Sequence, residues 1–354
     1  MPVDFERDLN PEQRAAALAP DGPVLVIAAA GTGKTRTLTY RVAHLVERGV
    51  PPERILLLTF TNRAAREMLD RARRLVGESV GGIWGGTFHH FAHRLLRRHA
   101  PRVGLDPSFV ILDDDDAQSL LRRATAEARR AHPHFPKIEV LHDAISLARN
   151  RGEDPLVAVP QRFEDLPVPA EVIGAAVRDY TAAKQAVRGV DFDDLLELAL
   201  ALFERAPDVL ERYREQFLHV LVDEYQDTNP AQARLVDAVA ARHRNLLVVG
   251  DDFQSIYSWR GADYRNFLSF PQRYPDARVV RLETNYRSVP GILAVANACI
   301  AGNPDQFQKT LRAVREDGLE PFRADLRDGG QQARFVRETA EELHAAGYAW
   351  RDMA

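Results

Sequence analysis

The stretch PVLVIAAAGTGKT, residues 23–35, sets an apolar run directly before a turn that contains two glycines. It meets the phosphate-loop pattern G-x-x-x-x-G-K-[ST] except at the first position, where the chain has Ala28. Gly31 and Gly33 let the backbone curl so that N–H groups point at phosphate oxygens, ahead of the helical pattern of residues 34–46. A chance GKT is the alternative, but the strand–loop–helix order favours a nucleotide-binding loop in an α/β sheet.

The side chains of this loop suit a magnesium-bound triphosphate. Lys34 would reach the β- and γ-phosphates, and Thr35 would place its hydroxyl on Mg²⁺. Ala28 lies at the entry from the strand, where a methyl group need not touch a phosphate. The predicted ATP-binding residues of the loop are Ala28, Ala29, Ala30, Gly31, Thr32, Gly33, Lys34, Thr35 and Arg36.

Composition limits the class of protein. The 354 residues exceed what one hydrophobic core usually serves, so two or three domains are expected. No apolar run reaches the roughly 18 residues of a membrane span, and the N-terminal MPVDFERDLNPEQ is too acidic for a signal peptide. The single cysteine, Cys299, excludes an internal disulfide and a cysteine-rich zinc site. We therefore expect a cytoplasmic protein with no membrane partner.

Short β-branched and leucine-rich runs alternate with helical patterns, which predicts a parallel α/β sheet. Four of the predicted strands are nearly continuous apolar runs, typical of strands covered on both faces. The six predicted strands cover residues 23–28, 54–60, 83–88, 219–224, 245–251 and 278–283.

About 130 residues of mostly helical pattern separate the third and fourth strands, too many for a loop in a compact domain. They predict an inserted helical domain. Its acidic run Asp113–Asp116 could hold a metal, but a charged helix N-terminus is favoured. The predicted domains are residues 1–104 and 191–282 for the two parts of the sheet domain, 105–190 for the insertion and 283–354 for the start of a second α/β unit.

A second functional element is HVLVDEYQD, residues 219–227, a buried strand pattern that ends in Asp223 and Glu224. An aspartate that faces a phosphate loop can hold Mg²⁺ through its water shell, and the adjacent glutamate can orient or deprotonate the attacking water. Capping of the next helix by the two carboxylates is the alternative. A phosphate loop followed by such a strand is typical of an ATPase.

The third element is GDDFQSIYSWRGADY, residues 250–264, which follows another buried strand. Its Gln254 could touch a γ-phosphate, while its aromatic residues and Arg260 offer stacking and phosphate contacts. Aromatic faces bind unpaired bases with about 1–3 kcal/mol per base. An aromatic core cluster is the alternative. If the aromatic residues are not buried, this one loop would contact both a triphosphate and single-stranded DNA.

Two more loops, TFTNRAAREM (59–68) and GTFHHFAHRLLRRH (86–99), follow strands and in a parallel sheet would lie beside the nucleotide. Phe60 could form one wall of a base pocket. A zinc site among the histidines His89, His90, His93 and His99 is disfavoured because no third ligand is evident. The predicted single-stranded-DNA contacts are Phe60, Thr61, Asn62, Thr87, Phe88, His89, Tyr257, Trp259 and Arg260.

Taken in order, these stretches resemble the motifs of the UvrD/Rep/PcrA-like helicases of superfamily 1A, over most of the chain. LNPEQ (9–13) looks like the family's Q motif and AAAGTGKT (28–35) like motif I, which in this family commonly starts with alanine. The remaining matches are TFTNRAAREM to motif Ia, GTFHHF to motif Ib, DFDDLL (191–196) to the return from the inserted domain, VDEYQDTN to motif II, GDDFQSIYSWRGA to motif III and LETNYRS to motif IV.

The resemblance implies two RecA-like domains that clamp ATP and Mg²⁺, with helical insertions that grip DNA. It implies an ATP-dependent helicase that moves 3′→5′ along single-stranded DNA and opens the duplex at single-strand/duplex junctions. Roles in DNA repair or replication, with protein partners from those processes, are expected.

The resemblance also assigns residues. Gln13 reads adenine, and Tyr286 stacks on it. Gln254 couples the γ-phosphate to DNA, and Arg287 is an arginine finger, which is worth about 10³–10⁵ in rate where measured. Bases are contacted by Phe60 and Trp259. Mg·ATP is bound and hydrolysed by Lys34, Thr35, Asp223 and Glu224.

Two features depart from the family pattern. Phe253 stands where many members carry Asp or another small or polar residue. Motifs V and VI, with a second arginine finger, do not occur in the sequence, so we expect a truncated form that unwinds DNA poorly alone. The alternatives are a nucleotide- and DNA-binding module without hydrolysis, and the motor half of a helicase–nuclease.

Overall fold

The computed structural model describes residues 3–316, 318 and 320–353. The strands are β1 (Val24–Ala28), β2 (Ile55–Thr59), β3 (Trp84–Thr87), β4 (Val110–Ile111), β5 (Gly189–Val190), β6 (His219–Val222), β7 (Leu246–Gly250), β8 (Arg278–Leu282), β9 (Thr284–Asn285) and β10 (Arg312–Ala313). The helices are α1 (Phe5–Asp8), α2 (Pro11–Ala17), α3 (Lys34–Glu47), α4 (Asn62–Val76), α5 (Phe88–His99), α6 (Asp114–Ala124), α7 (Ala126–Ala131), α8 (Ile138–Asn150), α9 (Pro155–Arg162), α10 (Ala170–Ala186), α11 (Phe192–Arg205), α12 (Pro207–Gln216), α13 (Pro230–Ala240), α14 (Arg265–Leu268), α15 (Phe270–Arg273), α16 (Pro290–Ile300) and α17 (Gly329–Ala345). Short 3-10 turns lie at Pro52–Arg54, Gly77–Val80, Ala100–Val103, Tyr225–Asp227, Asp252–Gln254, Ser258–Arg260 and Trp350–Asp352.

The six longer strands form one parallel sheet in the order β3-β2-β6-β7-β1-β8. Its register pairs Ile27 of β1 with Gly250 of β7, and Leu58 of β2 with Val222 of β6. The carboxyl ends of the central strands therefore lie side by side, and the loops that follow them meet there. All six strands were predicted from the sequence.

Five of the six strands end one or two residues before the predicted position, and the cause is clear for β6 and β3. Strand β6 stops at Val222 rather than at residue 224, because Glu224 takes left-handed backbone angles that leave the ladder. Strand β3 stops at Thr87, because Phe88 already begins helix α5.

The central strands are apolar throughout because helices cover both faces of the sheet. In β1, Leu25 and Ile27 join a hydrophobic cluster with α5, α11 and α13. Val24, Val26 and Ala28 join a second cluster with α3 and α4 on the other face. Every residue of β1 is consequently buried, whereas the edge strand β8 is mostly exposed. Burial on both faces explains why the central strands do not alternate between apolar and polar residues in the sequence.

Helices α6, α8, α9 and α10 lie between β3 and β6 in sequence and pack around a hydrophobic cluster of their own, which includes Leu121, Leu141 and Tyr180. Strands β4 and β5 pair in parallel where the chain enters and leaves this region. The acidic run begins α6, and Asp113 caps the helix by accepting a hydrogen bond from the Asp116 backbone N–H. The predicted helix N-terminus is thus confirmed, whereas the domain boundaries stay predictions.

The chain after β8 forms the short parallel pair β9 and β10, and the helices α16 and α17. Leu293 is the buried residue of α16, while Ile292 and Val295 on the same helix are about half exposed. In the described part of the chain, no helix combines the length and the apolar character that crossing a membrane requires.

Candidate active site

The phosphate loop is curled at two glycines. Gly31 and Gly33 have φ of +74° and +88°, a region that favours glycine. A Cβ atom at Gly33 would lie 2.5 Å from Gln13 Nε2, and one at Gly31 would lie 2.7 Å from Arg287 Cβ. Ala28 is the last residue of β1 and is fully buried there, away from the curl. Alanine at the first position of the pattern is therefore compatible with the loop.

Gln13 closes one side of the loop from helix α2. Its Nε2 donates to Thr32 O at 2.9 Å, and its Oε1 accepts from the Asn10 backbone N–H in a capping box. Arg41 of α3 holds α2 in place by donating to the Ala17 carbonyl, and burial lowers the pKa of Arg41 to about 10. Gln13 is thereby fixed beside the loop.

The two acids after β6 occupy different environments. Asp223 is 7% exposed, and its Oδ1 has no hydrogen-bond partner among the described residues. Burial, with the Glu224 charge beside it, raises the pKa of Asp223 to about 7. Glu224 has φ +50° and ψ +46°, strained values for a residue other than glycine and frequent at functional sites. Lys34 Nζ lies 2.7 Å from Glu224 Oε2.

Gln226 and Asp227 extend the acid pair, and both were missed in the sequence. Gln226 Nε2 donates to Glu224 Oε2 at 2.9 Å and to Asp227 Oδ2 at 3.1 Å. Burial and then the Glu224 charge raise the pKa of Asp227 to about 7. Their position inside the stretch DEYQD, directly after the predicted acids, was the available signal.

Asp251 joins the turn after β7 to the phosphate loop. Its Oδ2 accepts from the Ala30 backbone N–H at 3.1 Å and from Gln254 Nε2. Its backbone N–H donates to Gln226 Oε1 at 2.9 Å. The predicted γ-phosphate residue Gln254 is therefore held beside the loop by an aspartate that sequence reasoning did not single out.

The stretch LETNYRS meets the loop from the opposite side. The Tyr286 backbone N–H donates to Gly31 O at 2.9 Å, and Asn285 Nδ2 donates to Ala30 O at 2.7 Å. The Tyr286 hydroxyl accepts from Asn10 Nδ2 at 2.9 Å. Tyr286 and Arg287 thus lie beside the loop, while the roles assigned to them stay predictions. Asn285, which also contacts the loop, was not predicted from the sequence.

A cavity of about 400 Å³ lies where these parts meet. The phosphate loop, Glu224, the turn after β7 and the LETNYRS stretch all contribute to its walls. Arg71 of α4 was not predicted from the sequence and also lines it. The lining residues are Ala29, Ala30, Gly31, Gly33, Lys34, Thr35, Arg36, Arg71, Glu224, Gln254, Tyr286 and Arg287.

A second cavity of about 510 Å³ shares Thr35, Glu224 and Gln254 with the first. Its outer wall is aromatic, because Phe60 and Tyr257 stack with ring centroids 5.3 Å apart. The other lining residues are Thr61, Ala64, Asp223, Gln226, Asp227, Phe253 and Ile256. Predicted nucleotide and DNA residues are therefore neighbours.

Trp259 of the turn after β7 faces solvent, and Tyr257 beside it is half-buried. Trp259 is 64% exposed, and its ring centroid lies 6.4 Å from that of Tyr257. The Arg260 guanidinium lies 4.7 Å from the Trp259 ring centroid. The alternative of an aromatic core cluster is therefore wrong for Trp259, and Tyr257 does not belong to the hydrophobic core either.

The residues at the end of β3 behave differently. Thr87 caps α5 by accepting from the His90 backbone N–H, and His89 packs edge-on against Phe192. Phe88 is 4% exposed and belongs to the hydrophobic core, so its prediction as a DNA contact is wrong: the first turn of α5 points it inward. Burial lowers the pKa of His89. Across the described ranges, no three His, Cys, Asp or Glu side chains form a metal-binding group.

The family model of the UvrD/REP helicase N-terminal domain matches residues 9–275. The chain belongs to this family. It is similar to the ATP-dependent DNA helicase PcrA of Bacillus subtilis (strain 168), with 41% identity over 344 residues, 96% of this chain and 46% of the relative. The PcrA helicase of Staphylococcus aureus (strain Mu50) is 38% identical over 348 residues, 98% of this chain and 47% of the relative.

The PcrA helicase of Staphylococcus epidermidis is 38% identical over 353 residues, again 98% of this chain and 47% of the relative. The chain spans about half the length of these curated relatives. The family resemblance read from the motifs is confirmed, and so is the prediction of a RecA-like α/β sheet.

Proposed function

We propose that this chain is the ATP-binding part of an ATP-dependent DNA helicase, with an ATPase that single-stranded DNA stimulates. The observation that carries the proposal is the single cavity lined by Lys34, Glu224, Gln254 and Arg287, which come from four separate stretches of the chain. Translocation 3′→5′ and strand separation are proposed for the whole protein. Because motifs V and VI do not occur in the sequence, we propose weak unwinding by this chain alone.

The residues present fit a magnesium-bound triphosphate. Asp223 Oδ1 is buried without a partner in the described part of the chain, and the Thr35 side chain lines both cavities. Such oxygen donors are the ligands that Mg²⁺ prefers. Bound Mg²⁺ would neutralise charge on the phosphate oxygens. Lys34 and the curled amides of Gly31 to Thr35 would bind the phosphates.

Glu224 is the proposed general base. Its carboxylate lies on the wall that the two cavities share, where it would orient the attacking water and accept its proton. Lys34 and Gln226 hold this carboxylate in place. A bound phosphate would compete for Lys34 and leave Glu224 free to act.

The other proposed nucleotide contacts are assigned from where each residue lies around the first cavity. Gln254 would sense the γ-phosphate, and Arg287 would stabilise its developing charge. Tyr286, 47% exposed, offers a face for adenine, with Arg36 on the same cavity wall and Gln13 beside the loop.

Single-stranded DNA is the proposed partner of the aromatic surface formed by Phe60, Tyr257, Trp259 and Arg260. Stacking on these rings would bind bases of any sequence, and Thr61 and Asn62 at the start of α4 could donate to the backbone. We therefore expect weak sequence preference and strong salt dependence. Thr87 and His89 would contact DNA further along the strand, and junctions and repair or replication proteins are proposed as partners of the whole protein.

The test measures phosphate release from Mg·ATP by the 354-residue chain, with and without a dT oligomer. We expect the oligomer to stimulate turnover, and Glu224→Gln to lower it by about 10²–10⁴-fold. Glu204→Gln, which changes an exposed ion pair with Arg234, is the matched control and should leave turnover unchanged. Phosphate release no faster than in a sample without protein, with or without DNA, would favour a binding module without hydrolysis, whereas faster release that Glu224→Gln leaves unchanged would contradict the role of Glu224.

A further inference from the structure

One buried lysine connects the chain after α16 to the nucleotide cavity. The Lys309 side chain is 0% exposed. Its Nζ lies 2.9 Å from Asp251 Oδ1, and it also donates to Asp252 Oδ1. The ring centroid of Phe253 lies 3.5 Å from the same nitrogen. Three consecutive residues of the turn after β7 therefore surround one ammonium group.

Asp251 uses both of its carboxylate oxygens. Oδ1 faces Lys309, while Oδ2 accepts from the Ala30 backbone N–H and from Gln254 Nε2. One carboxylate thus joins the phosphate loop and the proposed γ-phosphate sensor to Lys309, which follows the neighbouring Asp252 by 57 residues in the sequence. Any rotation of that carboxylate would move Gln254 and release the amide of Ala30.

The segment that carries Lys309 is itself fixed to the turn. The Phe307 backbone N–H donates to Asp252 Oδ2 at 2.8 Å, and the Phe307 ring packs edge-on against Phe267 at 5.4 Å. Asp252 therefore anchors the segment, while Asp251 connects it to the cavity. Asp252 thus has a structural role, and Asp251 has a positioning role.

We propose that Lys309 is a positioning residue for nucleotide sensing: it fixes Asp251 so that Gln254 and the Ala30 amide keep the arrangement that distinguishes ATP from ADP. The inference rests on the proposed ATP-binding function of the cavity. A buried carboxylate that loses its cationic partner must rotate, take up a proton or find another donor. Each of these changes would disturb Gln254.

The same arrangement accounts for Phe253. The sequence comparison with the family pattern leaves its aromatic ring unexplained, and the structure places that ring face against the Lys309 ammonium. A ring face attracts a cation without adding charge. A third carboxylate at this position would instead compete with Asp251 for one lysine.

The test uses isothermal titration calorimetry on the 354-residue chain with Mg²⁺ and either the β,γ-imido analogue of ATP or ADP. The dissociation constant of ADP divided by that of the ATP analogue is the ratio that reports sensing of the γ-phosphate. We expect Lys309→Gln to reduce this ratio by about five- to tenfold, at the low end of coupling between sites. Asp252→Asn is the control, because it weakens the anchor without touching Gln254 or Ala30. It should lower the melting temperature and preserve the ratio.

A ratio that Lys309→Gln leaves at the wild-type value, with a melting temperature lowered as in Asp252→Asn, would overturn the inference and leave the proposed function intact. A wild-type chain that binds neither nucleotide would overturn both. If Lys309→Gln does not fold, the double variant Lys309→Met with Asp252→Asn keeps the net buried charge unchanged. Its ratio must then fall below that of Asp252→Asn alone, and equality would overturn the inference.

Discussion

Lys34 Nζ and Glu224 Oε2 lie 2.7 Å apart, so the proposed phosphate-binding cation and the proposed general base are paired with each other. Lys34 is 11% exposed and Glu224 31% exposed, so the pair is only partly screened by solvent. Because both residues line the same cavity, a phosphate group that reaches Lys34 must compete with the Glu224 carboxylate. Nucleotide binding would then free the Glu224 carboxylate from Lys34 in the same step.

This pairing predicts opposite effects of two substitutions on ATP affinity. Lys34→Met should weaken binding of the β,γ-imido analogue by about 10- to 100-fold, as expected for the loss of charge-assisted hydrogen bonds. Glu224→Gln should preserve or strengthen binding, because it removes the competing negative charge. Calorimetric dissociation constants measure both effects. Weakening by Glu224→Gln as large as that by Lys34→Met would show that the carboxylate does not compete with phosphate.

Asp227 predicts a pH dependence of stability. Burial and the Glu224 charge raise its pKa from the ordinary 3.8 to about 7. Between these values the folded chain keeps a proton that the unfolded chain has lost, so stability falls as the pH rises from about 4 to 7. Asp227→Asn should remove about 2–4 kcal/mol of this fall in the free energy of unfolding, since one pKa unit corresponds to 1.36 kcal/mol.

Urea unfolding at a series of pH values measures this contribution. Asp179→Asn, at an exposed position of α10, is the matched control and should leave the pH profile of the wild type unchanged. Parallel profiles for the wild type and Asp227→Asn would contradict the raised pKa.

The glycines of the phosphate loop predict a contrast between two positions with similar backbone angles. Gly33 has φ +88° and Gly49 has φ +82°, but a Cβ at Gly49 meets nothing within 4 Å in the described chain, whereas one at Gly33 would lie 2.5 Å from Gln13 Nε2. Both alanine substitutions should cost about 1–2 kcal/mol from left-handed strain. Only Gly33→Ala should also displace Gln13 and abolish binding of the ATP analogue. Equal nucleotide affinity in the two variants would refute the role of this close approach.

The sheet was readable from sequence for a physical reason. Strands such as β1 and β7 are covered on both faces, so each is a continuous apolar run. A surface helix instead shows apolar residues at intervals of three or four positions. The phosphate loop and the acids after β6 follow such runs directly, so their meeting at one end of the sheet could be predicted. The exact ends could not, because the left-handed Glu224 ends β6 through its own backbone conformation.

The missed residues depend on contacts between distant parts of the chain. Asp251, Asn285 and Lys309 have no local pattern that marks them, and their roles appear only once the loop, the turn and the segment after α16 are packed together. Phe88, by contrast, was predicted to contact DNA but is buried. Its place after a strand suggested a surface loop, but the orientation of α5 turns it into the core.

The exposed aromatic surface predicts where single-stranded DNA binds. Trp259→Ala should weaken binding of a fluorescent dT oligomer by about 5- to 150-fold, corresponding to the 1–3 kcal/mol of one base stack. Because Trp259 is 64% exposed, the melting temperature should change little. Trp350→Ala removes a ring of similar exposure, 55%, from the turn after α17 and is the matched control. Fluorescence anisotropy at low salt measures both, and equal weakening by the two variants would place the DNA elsewhere.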